Sequence, residues 1–182
     1  MGKIILISGG QRSGKSTFGE DLLKNKENVL YIATAKVLDS EMEERVRRHK
    51  ERRCSSWETF EGFQNLEEAI RATDKGFVLL ECIGTMVTNL LFNYEVDFES
   101  IDSKKLESIE ENIRKEVISA VEAAVEMNKE MIVITNEVGL GLVSEYKLGR
   151  IFTDILGRVN QDLGKICTEA YFMSCGLPLK LK

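Results

Sequence analysis

The sequence predicts an α/β protein: a mostly parallel β-sheet flanked by helices on both faces. Three observations predict it. Short continuous apolar runs recur at residues 4–7, 28–33, 76–82 and 131–135, the mark of strands buried on both sides. Stretches with helical periodicity alternate with these runs, as parallel connections require. A segment fitting G-x-x-x-x-G-K-[ST] without a mismatch joins the first run to the first helix: Gly9, Gly10, Gln11, Arg12, Ser13, Gly14, Lys15 and Ser16.

That segment is the first element after the first strand, and its chemistry needs those residue types. Gly9 and Gly14 let the backbone curl with its N–H groups inward, a cradle for phosphate oxygens at a helix N-terminus. Lys15 then places a point charge on the β- and γ-phosphates, and the Ser16 hydroxyl takes a place on Mg²⁺. The plain alternative is a glycine turn before a helix with a solvated lysine. The flanking strand and helix favour phosphate binding, and the architecture is that of a P-loop NTPase.

Residues 15–23 read as a helix with Phe18, Leu22 and Leu23 on one side. The run 28–33 is a second buried strand with Thr34, Ala35 and Lys36 at its carboxyl end, the edge where open α/β sheets bind ligands. Ser40 and Glu43 have capping-box spacing, which predicts a helix over 41–53. Only Met42 and Val46 are apolar in it, so a thin stripe anchors it to the body. Arg45, Arg47, Arg48, Lys50, Arg52 and Arg53 make it strongly basic, and the chain's one histidine, His49, sits among them.

Residues 57–60 form a short strand candidate ending near Glu61, and 65–72 a short helix. The run 76–82 is a buried strand finishing on Glu81, followed by a helix over 83–92 and an acidic surface loop over 93–103. The longest helix covers 104–127, with Leu106, Ile109, Ile113, Val117, Val121 and Ala124 at steps of three and four. The run 131–135 precedes a glycine turn at 136–142. A helix over 146–167 and short strands at 170–173 and 177–181 follow. Inside that helix pattern, Gly157 costs about 1 kcal/mol against alanine, which predicts close packing or ligand approach there.

At 182 residues, one domain spanning 1–182 is expected. Hydrophobic content of 43% and charged content of 30% are ordinary for a globular protein. The net charge of −5 argues against a broad nucleic-acid surface. Four scattered cysteines without a C-x-x-C pair indicate reduced thiols in a cytoplasmic protein. The first apolar run ends at Ser8, too short for a signal peptide, and no stretch has the apolar length of a membrane span.

Two acids compete for the nucleotide's metal. Glu81 ends one apolar run and is the better candidate, whereas Glu137 lies two residues past another and is its rival; either could hold Mg²⁺ or its water. His49 has Arg45, Arg52 and Arg53 on its own helical face. Crowded cations disfavour imidazolium, so this ring is expected to stay neutral and nucleophilic near pH 7. The same cations would stabilise a leaving pyrophosphate. A silent histidine on a solvated basic helix fits the residues equally well.

Several segments together resemble one family, the bifunctional adenosylcobinamide kinase/adenosylcobinamide-phosphate guanylyltransferases of cobalamin biosynthesis. They are SGGQRSGKS at 8–16, YIATA at 31–35, DSEMEERVRRHKERR at 39–53 and WETFE at 57–61. LLECIGTMVTNLL at 79–91, ITNEVGLGLV at 134–143, GRVNQ at 157–161 and GLPLKLK at 176–182 complete the set. The resemblance implies phosphorylation of adenosylcobinamide by ATP or GTP, then transfer of GMP from GTP through a guanylylated histidine. It assigns that histidine to His49 and phosphate binding to residues 9–16. Thr34, Ala35, Lys36, Lys50, Glu51, Arg52, Arg53, Glu61 and Glu81 would line the guanine-nucleotide site, with Ser16 and Glu81 at the metal. The corrinoid is the expected small-molecule partner, and a homo-oligomer whose neighbouring subunit completes the site is compatible with so exposed a basic helix. The chain departs from the family in Cys54 and Ser144, where prolines are frequent, and in Glu81, where aspartate is frequent.

Other readings explain less. A plain P-loop kinase leaves His49 and its arginines without a task. A regulatory GTPase would read guanine with N-K-x-D after a strand, and Asn25-Lys26-Glu27-Asn28 lacks the aspartate. A DNA-binding role would want a basic groove that the net charge does not supply.

Overall fold

The computed structural model describes residues 2–36, 44, 47 and 54–182. In chain order these form β1 (Lys3–Gly9), α1 (Lys15–Leu22), β2 (Val29–Ala33), β3 (Glu58–Glu61), α2 (Leu66–Ala72) and β4 (Phe77–Glu81). There follow α3 (Ile83–Phe92), α4 (Ser103–Glu126), β5 (Glu130–Ile134), α5 (Lys147–Ile166), β6 (Glu169–Ser174) and β7 (Leu177–Lys180). The strands make one sheet in the order β3-β2-β4-β5-β1-β6-β7. Every neighbouring pair is parallel except β6 and β7, which form a closing antiparallel hairpin. The four apolar runs lie side by side as β2, β4, β5 and β1, the buried centre that their lack of alternation predicts.

Helices cover both faces, but unequally. On one face α2, α3, α4 and α5 bury a large core that includes Leu66, Ile83, Ile109, Ile113, Val117, Ile155 and Val159. The periodic stripe of α4 points into it, and the Asp102 carboxylate caps that helix by accepting from the Lys105 N–H over 3.0 Å. On the other face the second core gathers Ile5, Ile7, Val29, Tyr31, Trp57, Leu79, Ile132, Ile134 and Met173 beneath α1.

Gly19 explains how close α1 lies. A Cβ there would stand 3.0 Å from Ile134 Cδ1, 3.4 Å from Leu79 Cδ1 and 3.5 Å from Ile7 Cδ1. The missing side chain therefore lets α1 lie across β1, β5 and β4 together, at the usual helix-interior penalty of about 1 kcal/mol. That seat carries the first turn of α1 toward the end of β4.

Two expectations need correction. Leu22 is 40% exposed rather than packed: the buried row of α1 runs Lys15, Gly19, Leu23, and Leu22 falls at its margin. Nothing lies within 4 Å of the Cβ position of Gly157, so close packing is not what that glycine provides. The contact comes one turn on, where Asn160 accepts from Thr135 Oγ1 at 2.7 Å and donates to the Asn136 carbonyl at 3.0 Å. The helix expected over 41–53 lies outside the described residues except for Glu44 and Arg47. Both are helical, and Arg47 grips the Glu44 carboxylate through two nitrogens at 2.7 and 2.8 Å. All four cysteines are free thiols. Among the described residues no helix is long and apolar enough to cross a membrane.

Candidate active site

The phosphate loop leaves β1 at Gly9 and enters α1 at Lys15. Gly9 has φ 148° and Gly14 φ 96°, both in the region that favours glycine. Crowding excludes side chains as well: a Cβ on Gly9 would stand 2.5 Å from the Met173 carbonyl oxygen, and one on Gly14 3.2 Å from Gly176 Cα. Gly10 has open space around it, and Gln11 and Arg12 are exposed, so the outer limb of the loop faces solvent. The β6–β7 hairpin holds the inner limb, where the Gly176 N–H donates to the Ser13 carbonyl over 3.1 Å.

Three side chains define what the loop can hold. Lys15 is 8% exposed and folds back so that its ammonium donates to the Gly10 carbonyl at 2.5 Å. Burial holds its pKa below the ordinary lysine value, against the opposing pull of Cys82 and Glu81. The Ser13 hydroxyl is buried and has no hydrogen-bond partner among the described residues. An unsatisfied donor and a desolvated ammonium spanning one glycine loop are the two ends of an anion cradle. Ser16 donates its hydroxyl to Glu81 Oε1, while Tyr31 donates its phenol to Glu81 Oε2 at 2.6 Å.

The two rival acids separate cleanly. Glu81 ends β4 and meets the first turn of α1. The Glu137 carboxylate bends into its own turn and accepts from the Gly139 N–H at 2.5 Å, while its N–H donates to the Gly9 carbonyl at 3.0 Å. Glu137 therefore braces the phosphate loop through its main chain rather than presenting its acid to it.

The second half of the expected site lies along the sheet edge. Ala33 pairs in register with both Glu61 and Glu81, so three strand ends stand in a row. Thr34 follows directly. Its N–H donates to the Glu81 carbonyl at 2.9 Å, its hydroxyl accepts from the Cys82 N–H at 2.9 Å, and its carbonyl accepts from Asn89 Nδ2 at 2.7 Å. Ala35 is half-buried, and the exposed Lys36 lies over the Phe63 ring at 4.7 Å. The structure thus brings together residues 9–16, 34–36, Glu61 and Glu81. His49, Lys50, Glu51, Arg52 and Arg53 lie outside the described residues.

Sequence reasoning missed Tyr31 and Asn89. Each was hidden inside an apolar pattern, and the only signal was a hydrogen-bonding group in a position that burial should have made apolar.

Residues 5–181 match the family described as cobinamide kinase / cobinamide phosphate guanyltransferase. The chain is 42% identical over 181 residues to the bifunctional adenosylcobalamin biosynthesis protein CobU of Escherichia coli K12, covering 98% of this chain and 99% of that one. It is 41% identical to the protein of the same name from Salmonella typhimurium LT2, with the same two coverages. To the bifunctional adenosylcobalamin biosynthesis protein CobP of Pseudomonas aeruginosa PAO1 it is 33% identical, over 97% of this chain and 96% of the relative. Matched along nearly its whole length, and folded around a P-loop that its family's nucleotide chemistry requires, the chain belongs to the cobinamide kinase / cobinamide phosphate guanyltransferase family.

Proposed function

We propose that this enzyme phosphorylates adenosylcobinamide with ATP or GTP and then transfers GMP from GTP, through a guanylylated His49, to give adenosylcobinamide-GDP. In the first step a substrate hydroxyl oxygen attacks the γ-phosphorus, and the bond to the β–γ bridging oxygen breaks. Phosphoryl transfer asks little covalent chemistry of a protein; positioning and charge stabilisation dominate. Lys15 would exchange the Gly10 carbonyl for phosphate oxygens, and Ser13 would find its missing acceptor there.

The observation that carries this reading is the meeting of Ser16 with Glu81 at the mouth of the phosphate loop. A hydroxyl and one carboxylate form an all-oxygen donor pair, which suits Mg²⁺, a cation that keeps several waters and binds through few protein groups. When bound, Mg²⁺ neutralises charge that develops on the phosphate oxygens. Ser16 and Glu81 would hold it, and Tyr31 would steady Glu81.

In the second step an imidazole nitrogen of His49 attacks the α-phosphorus of GTP and pyrophosphate leaves. A phosphate oxygen of adenosylcobinamide phosphate then attacks the histidine-bound phosphorus, and the P–N bond returns its electrons to the ring. Support comes from the family match across this segment and from the basic residues around His49 in the sequence. Incubation with α-labelled GTP should leave acid-labile, base-stable label on the protein. His49→Ala should abolish the label and keep the kinase step; equal labelling of the variant overturns the assignment.

A further inference from the structure

We propose that Tyr31 is a positioning residue for the nucleotide site: its phenol fixes the Glu81 carboxylate toward Ser16 and so sets how tightly the site takes a divalent cation. The proposal rests on the reading of Ser16 and Glu81 as the protein side of that cation.

The placement follows from strand register. β2 and β4 run parallel with Tyr31 opposite Leu79 and Ala33 opposite Glu81. Alternate residues of a strand share a face, so Tyr31, Leu79 and Glu81 all point to the α1 side. A tyrosine two residues back along β2 is long enough to reach the carboxylate diagonally ahead of it. The 2.6 Å separation is at the short end for O–H···O bonds, as expected when the acceptor is ionised.

The two oxygens of Glu81 do different work. Oε2 takes the phenol, which leaves Oε1 facing Ser16. Tyr31 is 3% exposed and belongs to the core beneath α1, with Leu79 opposite it on β4 and Val29 beside it on its own strand. It therefore cannot follow a moving carboxylate. The carboxylate must come to it. Glutamate also has one more rotatable bond than aspartate, and a fixed donor removes the freedom that this bond adds. A buried phenol needs some acceptor, and this one donates to the acid that meets the phosphate loop.

Tyr31→Phe keeps the ring and removes the oxygen. Binding of a fluorescent GTP analogue is titrated with Mg²⁺ and, separately, measured in EDTA. The half-saturating Mg²⁺ concentration should rise roughly 10- to 100-fold, the usual cost of losing an outer-shell partner, with the EDTA affinity held within about twofold. Glu81→Ala should raise the Mg²⁺ requirement at least as far, and Tyr31→Phe should add nothing in that background. If Glu81→Ala leaves the requirement unchanged, the cation reading fails and this proposal goes with it. If Glu81→Ala raises it and Tyr31→Phe does not, the tyrosine proposal alone is overturned. Equal weakening in EDTA and in Mg²⁺ also overturns it, by making Tyr31 a core residue only. Should Tyr31→Phe lose its cooperative melt, Glu81→Asp pulls the carboxylate back from the phenol while keeping its charge; an unchanged Mg²⁺ requirement there overturns the proposal.

Discussion

The side-chain amide of Asn89, on α3, donates to the main-chain carbonyl of Thr34 across 2.7 Å, and both residues are buried. This bond ties the helix that follows Glu81 to the chain leaving β2. It therefore holds the start of the path that Thr34, Ala35 and Lys36 take along the sheet edge.

Asn89→Ala should strip a buried carbonyl of its donor and lower folding stability by about 1–3 kcal/mol. Asn89→Asp should cost more, because an acceptor then faces an acceptor. Affinity for GTP should fall in both variants as the 34–36 segment loosens. Urea unfolding and nucleotide titration measure the two effects, and an Asn89→Ala protein as stable as the parent would contradict the first.

Lys15 should show a trade between function and stability. Burial lowers its pKa on folding, so the protonated ammonium opposes folding at neutral pH. That penalty is relieved only as pH rises through the folded value toward 10.5. Lys15→Met should therefore melt no lower than the parent at pH 7 without nucleotide. Its phosphoryl transfer should drop at least ~100-fold, the scale of losing one charge-stabilising donor, and guanylylation should be lost with it. Calorimetry and steady-state rates on the same preparation test both halves.

Glu169 governs an acid-dependent part of stability. Hydrogen bonds from Lys3 and Tyr171 pull its carboxyl from 4.5 down to about 2. A depressed folded value means that its contribution is complete above 4.5 and is lost as pH falls through about 2. Glu169→Gln should accordingly flatten the pH dependence of unfolding between those limits and lower stability near neutrality. Lys3 loses the partner that raises its pKa, so its titration should move back toward the ordinary lysine value.

The sheet was legible because its four central strands are continuous apolar runs, a pattern that leaves little choice of burial. The phosphate loop was legible because its glycines answer to geometry: Gly9 and Gly14 both take positive φ. From sequence Glu81, which ends a strand run, is the better metal candidate and Glu137, two residues past another run, its rival, but the margin between them is narrow. What separated them is that α1 crosses β5 to reach β4, a matter of strand order that one sequence does not carry. Leu22 misled because a helical pattern gives a face without its margin, and Gly157 because a glycine in a helix has more than one cause. The Asn89–Thr34 bond joins residues far apart in sequence, and nothing local announces it.

The hairpin of β6 and β7 presses Met173 and Gly176 against Gly9, Ser13 and Gly14. One side of the nucleotide cradle is thus supplied by residues translated long after the other. A nascent chain whose glycine segment has already left the ribosome should grip no triphosphate until this hairpin also emerges and docks, so fragments arrested before it should be unable to turn over nucleotide.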